Sequence, residues 1–302
     1  MKYLLYVVIT LGILTLFSCN GRDSIPSETP NGEYEVVNKE DNREWIGAWT
    51  ASMQAPFEDG VSYNGFNKQT IRMVIRPHLA GSKMKIRLSN VFGVKPITID
   101  EAFVAISKKG ADIDPKTSQQ VTFSNQNSIT IEPGKKVFSD PISMEVSNEK
   151  NIAVSLYVNH ATGPVTWHPR SLQTTYISIG NHASSASGSS FHMEEEAWFW
   201  LDGVDIIPNY DVEGAIVVVG DSIANGNHST KNKNRRWPDY LAKRFIHESP
   251  DTRMSILNAG ISANQLINSA EGKGENALAR LERDVFSHTG VKGVILHQGL
   301  ND

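Results

Sequence analysis

The sequence predicts a β-sandwich-like module followed by an α/β domain built on a parallel sheet. From Trp45 to about Tyr176, short alternating apolar runs are separated by Gly and Pro residues, as in antiparallel strands. From Gly214 onward, continuous apolar runs take turns with segments of helical period. A chain of 302 residues also favours two domains over one.

Four segments of the first module carry the strand pattern most clearly: Ile71–Ile75, Lys83–Leu88, Ser128–Ile131 and Ile152–Val158. Short strands at this spacing are typical of an antiparallel sandwich. We therefore assign the module to residues 43–180. Residues 181–210 begin with a Ser- and Gly-rich stretch and are assigned to a linker and domain junction, where we expect Trp198-Phe199-Trp200 to pack.

The second domain is assigned to residues 211–302. Its predicted strands are Ala215–Val219, Met254–Leu257 and Val291–Leu296. Between them, Trp237, Tyr240, Leu241 and Phe245 mark one amphipathic helix, and Leu278, Leu281, Val285 and Phe286 mark a second. Strand, helix, strand, helix, strand implies a parallel sheet with right-handed crossovers.

The amino terminus has the composition of an export signal. Lys2 precedes the apolar run Tyr3–Phe17, which is shorter than the roughly 20 residues of a membrane span. Ser18-Cys19 follows and resembles the bacterial lipoprotein signal, in which the cysteine is lipidated. We therefore expect a signal over residues 1–19, lipidation at Cys19, a flexible tether over residues 20–42, and a lipid-anchored protein in the bacterial cell envelope.

Composition excludes several classes of function. The formal net charge of -4 gives no basic surface for nucleic acid. Cys19 is the only cysteine, so the folded body has no disulfide, no zinc-thiolate site and no cysteine nucleophile. Neither a metal nor an organic cofactor is implied.

Three short motifs follow the three predicted strands of the second domain. They are Gly220-Asp221-Ser222, Asn258-Ala259-Gly260 and Gly299-Leu300-Asn301-Asp302. The carboxyl ends of parallel strands meet at one edge of a sheet, where ligands bind. Serine can attack a carbonyl carbon, and the backbone N–H groups of Ser222 and Gly260 with the side chain of Asn301 can hold the resulting oxyanion.

The segment from Ile216 to Asp302 resembles the GDSL, or SGNH, family of serine hydrolases. Ser222 matches the family's nucleophile, Gly260 its oxyanion glycine and Asn301 its oxyanion asparagine. Upstream, Trp45-Ile46-Gly47-Ala48-Trp49 and Asn234-Arg235-Arg236-Trp237-Pro238 are similar to one bacterial and fungal branch with a β-rich N-terminal module. The resemblance implies a three-layer, flavodoxin-like α/β domain with ester-hydrolase activity.

The family's fourth motif, Asp-x-x-His, supplies the general base and is absent from this sequence. We interpret the second domain as incomplete and expect the chain as given to be inactive. His297 and His228 are the alternative bases, but a polar residue at a strand end and a solvated loop residue are the favoured interpretations. Asp221 is expected to accept a hydrogen bond in its turn rather than to act as a catalytic acid.

The expected parent activity is that of an exported, lipid-anchored serine esterase whose substrate is an ester, with acylated polysaccharide the favoured class. The alternative is a carbohydrate-binding or remnant lipoprotein without catalysis. Trp167 and His168 are candidates for a sugar platform, although core packing is the favoured interpretation for this tryptophan.

Overall fold

The computed structural model describes residues 44–249 and 251–302, so the predicted signal, Cys19 and the tether lie outside the described residues. The described residues fall in one compact unit. Strands account for 39% of them and helices for 11%. In this part of the chain, no helix has the length and apolarity needed to cross a bilayer.

The described residues form eighteen strands: β1 (Ile46–Thr50), β2 (Gln69–Ile75), β3 (Gly81–Ser89), β4 (Ile97–Ile99), β5 (Glu101–Ile106), β6 (Gln119–Gln120), β7 (Ile129–Ile131), β8 (Lys136–Phe138), β9 (Ile142–Val146), β10 (Ile152–Val158), β11 (Trp167–Pro169), β12 (Thr175–Ile179), β13 (Met193–Glu195), β14 (Ala197–Phe199), β15 (Leu201–Pro208), β16 (Gly214–Gly220), β17 (Met254–Gly260) and β18 (Val291–His297). The helices are α1 (Gly60–Asn64), α2 (Ser222–Asn225) and α3 (Trp237–His247), with a 3₁₀ turn at Pro115–Thr117 and a π-helical turn at Glu282–Phe286.

Two antiparallel sheets form most of the β-rich region. One has the order β13-β12-β2-β10-β5-β6, and the other has the order β1-β15-β3-β8 with β9 also paired to β3. The apolar residues of β2, β3, β10 and β15 pack in one shared core. The predicted strands Ile71–Ile75, Lys83–Leu88 and Ile152–Val158 are confirmed, although β2 and β10 are buried almost throughout rather than at alternate positions.

The segment 181–210 is part of the β-fold rather than a linker. It contains β13, β14 and β15, and β15 pairs with both β1 and β3 in the centre of its sheet. All eight residues of β15 are buried. Its sequence, Leu-Asp-Gly-Val-Asp-Ile-Ile-Pro, hides this role because two aspartates and a proline lower its apparent strand propensity.

The three predicted strands after Gly214 form a parallel sheet with the order β17-β16-β18. Gly220 at the end of β16 pairs in register with Gly260 at the end of β17 and with His297 at the end of β18. Helix α3 is also confirmed, and Pro238 lies in its first turn as expected. The three strands therefore end at one edge.

The predicted three-layer, flavodoxin-like α/β domain is wrong. Helix α3 covers one face of the parallel sheet, packing on Val218 and Ile256. The other face joins the core of the antiparallel sheets, where β1 lies against β17. The second predicted helix is reduced to turns and the π-helical turn Glu282–Phe286. Strand β1 therefore occupies the place where a helical layer was expected.

A buried polar cluster links the antiparallel sheets to the segment before β18. Nη2 of Arg87 donates to Nδ1 of His288 (3.0 Å), and Nε2 of His288 lies 3.3 Å from Oγ1 of Thr50. Arg87 and Lys136 both contact the carboxylate of Asp202, each at 2.7 Å. Since Nδ1 of His288 accepts a hydrogen bond, the buried imidazole is neutral. Burial, with the positive charge of Arg87, lowers the pKa of His288 to about 3.

We predict that the folded state loses stability as the pH falls from about 6.5 towards 3. In that window an unfolded His288 binds a proton and a folded one does not, so each pH unit costs up to about 1.4 kcal/mol. Burial also lowers the pKa of His168, which adds in the same direction. Denaturant melts of His288→Gln between pH 7 and 5 should show a shallower decline than the wild type. His228→Gln, in an exposed loop, is the control, and equal slopes for wild type and His288→Gln would contradict the assignment.

Candidate functional site

Ser222 lies in a tight turn between β16 and α2. It is the first residue of α2, so its backbone N–H has no acceptor within the helix. Asp221 caps the helix, and its Oδ1 accepts a hydrogen bond from the backbone N–H of Ile223 (2.9 Å). Gly226 ends the helix with a φ of 96°, a left-handed conformation that favours glycine. Asp221 thus has the turn-acceptor role expected from the sequence.

Gly260 allows the end of β17 to lie directly against α2. A Cβ atom at position 260 would be 2.8 Å from the carbonyl carbon of Ala224 and would also overlap the backbone nitrogen of Asn225. Gly220, its partner in the sheet, similarly leaves room for the side chain of Ala224. The turn that carries Ser222 therefore rests on two glycines at adjacent strand ends.

Asn301, beyond the end of β18, also contacts this turn. Its Nδ2 donates to Oδ2 of Asp221 (3.4 Å) and to the backbone oxygen of Asn264 (3.1 Å). The structure thus brings Asn301 and Gly260 to the turn that carries Ser222. These are the three residues that the sequence motifs single out.

The hydrogen bonds around this turn show which groups are already in use. The N–H of Gly260 donates to Oδ1 of Asn258 (3.0 Å), and Nδ2 of Asn301 has the two acceptors just described. Within the described residues, Oγ of Ser222 has no hydrogen-bond partner, and no histidine or carboxylate reaches it. A carbonyl oxygen entering the site would compete with protein oxygens for two of its three predicted donors.

Arg280 holds the strand ends in place and has no counterpart among the residues predicted from the sequence. Its side chain is completely buried. The guanidinium donates to the carbonyl oxygens of Gly220 (3.2 Å) and Ala259 (2.7 Å), to Oδ1 of Asn264 (2.9 Å from Nη2) and to Oγ of Ser52 (3.1 Å). Burial lowers its pKa. One arginine therefore ties β16, β17 and the loop after β17 to the antiparallel sheets.

Asn264 connects Arg280 to Asn301. Oδ1 of Asn264 accepts from Arg280 and from Nε2 of Gln298 (2.8 Å), and Nδ2 donates to the backbone oxygens of Lys273 (2.9 Å) and Glu275 (2.7 Å). Asn264 and Arg280 lie outside the three motifs, so motif reasoning missed them. The spacing of Arg280 and Asp284, opposite charges four residues apart on a predicted helix, was a signal for an ion pair.

His168 joins the β-rich region to α2. Its Nδ1 lies 2.7 Å from the backbone oxygen of Ser52, and its Nε2 lies 2.8 Å from Oδ1 of Asn225 in α2. Asn225 in turn donates to the backbone oxygen of Arg170 (2.9 Å) and to Oγ of Ser262 (3.0 Å). His168 is buried, so it positions α2 and is not a solvent-facing sugar platform.

The remaining candidates lie apart from Ser222 Oγ or inside the core. His297 is exposed, and its ring packs edge-on against Trp237 at 5.7 Å. His228 is an exposed loop residue. Trp167 is buried, with Nε1 donating to the backbone oxygen of Ala55 (3.0 Å), and Trp198 packs against Trp49 at 5.0 Å. Trp167 is a core residue, as its favoured interpretation expects, whereas Trp198 lies in the core of the β-rich region rather than at a domain junction.

Two kinds of ligand site are relevant to the described residues, a metal site and a cavity. No group of three or more His, Cys, Asp or Glu side chains in residues 44–249 and 251–302 is arranged to hold a metal ion. A cavity of about 780 Å³ opens where β16 and β18 begin, beside Gly214 and Val291. That end is opposite to the edge with Ser222, so the cavity is not part of the candidate site.

No protein-family model matches the chain. No curated protein matches it either. Among solved structures, it is similar to a family two carbohydrate esterase from Cellvibrio japonicus, with 12% identity, a TM-score of 0.22, and coverage of 86% of this chain and 68% of that one. It is also similar to a family two carbohydrate esterase from Clostridium thermocellum in complex with cellohexaose, with 13% identity, a TM-score of 0.26, and coverage of 86% and 66%. At these TM-scores the likeness decides neither fold nor activity.

We predict that Gly260→Ala destabilises the protein by about 1–3 kcal/mol, because the added methyl group must displace the backbone of α2. Gly293→Ala in β18 is the matched control, since a Cβ there would meet only Ile216 Cγ1 at an ordinary 3.5 Å. Urea melts should give a clearly lower free energy of unfolding for Gly260→Ala than for Gly293→Ala. Equal stability of both would show that the close approach of β17 and α2 is not a constraint.

Proposed function

We propose that the chain carries a serine ester-hydrolase site at the carboxyl edge of its parallel sheet. The observation that supports this most directly is the meeting of Ser222, Gly260 and Asn301 at one turn. They are the residue types that an acyl-transfer site needs for a nucleophile and an oxyanion hole. The resemblance of the three motifs to the GDSL/SGNH family supports the same assignment.

In the proposed reaction, Oγ of Ser222 attacks the carbonyl carbon of an ester. The oxyanion that forms is held by the N–H groups of Ser222 and Gly260 and by Nδ2 of Asn301. The alcohol then leaves with the proton that Ser222 gave up, and water hydrolyses the acyl-serine to release the acid and restore the hydroxyl. We further propose that the alcohol side of the ester is a polysaccharide, so that the acyl group is a substituent on sugar.

The general base determines how fast this reaction runs. Within the described residues, no base hydrogen-bonds to Oγ of Ser222, and loss of the base in serine triads costs on the order of 10⁴ to 10⁶ in rate. We therefore expect slow hydrolysis by the 302-residue chain. Free imidazole can take the proton in place of a protein histidine and should raise the rate.

We predict that the 302-residue chain hydrolyses p-nitrophenyl acetate slowly, with a Ser222-dependent rate that increases as imidazole is added. Ser222→Ala measures the reaction of imidazole in solution and is subtracted at each concentration. Ser229→Ala, in the loop after α2, is the matched control and should behave as the wild type. Asn301→Ala should lower the Ser222-dependent rate by roughly 10²- to 10³-fold, the cost of one oxyanion donor.

The same experiment separates the enzyme from the alternative function. If the rates of wild type and Ser222→Ala coincide at every imidazole concentration, Ser222 is not a nucleophile. The chain would then be a carbohydrate-binding or remnant protein whose β-rich region carries its function.

We also propose that the protein is exported and anchored in the cell envelope by lipid on Cys19. The support is the sequence Leu16-Phe17-Ser18-Cys19 after a short apolar run. In a bacterial host, the wild type should incorporate labelled palmitate and sediment with membranes, and Cys19→Ala should lose the label. A soluble mature wild type with an unmodified Cys19 would contradict the anchor.

A further inference from the structure

A groove of about 330 Å³ lies between the β-rich region and the loop that follows β17. One wall contains Gln54, Phe57 and Phe92, and the opposite wall contains Glu271 and Glu275. Both phenylalanines are half-buried, so part of each ring faces the groove. Its volume is at the lower end of the range for small-molecule sites.

The side chain of Gln54 is the unusual feature of this groove. Its backbone pairs with Trp167 through hydrogen bonds of 2.7 and 3.2 Å, which fix the position from which the side chain projects. Only 3% of the residue is exposed, and its Oε1 is buried without a hydrogen-bond partner. Within the described residues its Nε2 has no partner either. A buried amide that lacks partners costs free energy unless a ligand or water satisfies it.

The chemistry of the two walls selects a class of ligand. The amide of Gln54 offers one acceptor and donors, which a hydroxyl group can match in both roles. The ring of Phe57 offers an apolar surface, while the guanidinium of Arg283 lies over the ring of Phe92 at 4.9 Å. The carboxylate of Glu271 can accept hydrogen bonds and repels anions, whereas that of Glu275 is paired with the guanidinium of Arg283. A neutral molecule with several hydroxyl groups and an apolar face, such as a pyranose, fits all three features.

The groove is connected to the candidate site through the loop 269–275. Asn264 donates to the backbone oxygens of Lys273 and Glu275 in this loop, and the backbone oxygen of Asn264 accepts from Asn301. Gly274 lies beside Oε1 of Gln54 and beside Ile261, the residue after Gly260. Asn264 therefore contacts both the wall of the groove, through its side chain, and Asn301, through its backbone oxygen.

We propose that this groove binds the sugar portion of the ester, with Gln54 hydrogen-bonding to a sugar hydroxyl. This inference rests on the proposed function for the identity of the ester. It adds the place of the alcohol group and the residue that recognises it.

The test is a titration of the ¹⁵N-labelled 302-residue chain with methyl β-D-glucopyranoside, in the Ser222→Ala background so that no acyl chemistry takes part. The side-chain amide signals of Gln54 should shift. Gln54→Met keeps the length of the side chain and removes both hydrogen-bonding groups, and it should weaken binding by about tenfold or more. Gln173→Met is the matched control, because Gln173 is equally buried, also has an unpartnered Oε1 and is not a groove residue.

Glu271→Gln tests the charge of the groove. Because Glu271 is exposed, this substitution should not disturb folding. Methyl β-D-glucuronide should bind more weakly than the neutral glycoside, and Glu271→Gln, at an exposed position, should reduce that difference. The groove assignment is overturned if the glycoside leaves the Gln54 signals unmoved, if Gln54→Met and Gln173→Met weaken binding equally, or if only the cationic glucosamine binds. Because p-nitrophenyl acetate carries no sugar, its Ser222-dependent hydrolysis tests the proposed function separately.

Discussion

The interaction on which the site depends is the buried guanidinium of Arg280. The carbonyl groups at the ends of parallel strands need partners when they are buried, and Arg280 supplies them for Gly220 and Ala259. A buried charge is unfavourable unless it is paired, and Asp284 pairs with it at 3.2 Å. Only arginine has a planar arrangement of donors broad enough to reach two strands and a loop together.

Arg280 is effective because strand β1 has brought the antiparallel sheets against the parallel one. The N–H of Gly47 donates to the backbone oxygen of Thr289 (3.0 Å), which fixes β1 beside the segment that leads into β18. Ser52, just after β1, then meets the guanidinium of Arg280. The β-rich region is therefore a structural part of the candidate site. Its position also explains why no complete helical layer is needed on that face.

The sequence predicted those strands and site residues that are marked by a local pattern of residues. Continuous apolar runs identified β16, β17 and β18, and the residues after these strands identified Ser222, Gly260 and Asn301 as neighbours. It did not predict β15, because burial of its two aspartates depends on partners distant in sequence: Asp202 on Arg87 and Lys136, and Asp205 on Thr289. The roles of Asn264 and Arg280 were not predicted for the same reason. The structural role of a buried polar residue depends on its hydrogen-bond partners, and the sequence alone does not identify them.

The hydrogen bonds that stabilise the carboxyl edge of the parallel sheet also occupy groups that the proposed reaction needs. Asn258 already accepts from Gly260, and Asp221 and Asn264 already accept from Asn301, so an oxyanion must displace protein oxygens. The weakest of these contacts is the 3.4 Å one to Asp221, which is therefore the first that a substrate oxygen can replace. If the groove beside Gln54 binds the sugar group of an ester, the local concentration of the ester carbonyl oxygen near Gly260 and Asn301 would be high. Binding energy gained away from the reacting atoms would then help to open the hydrogen bonds at the site.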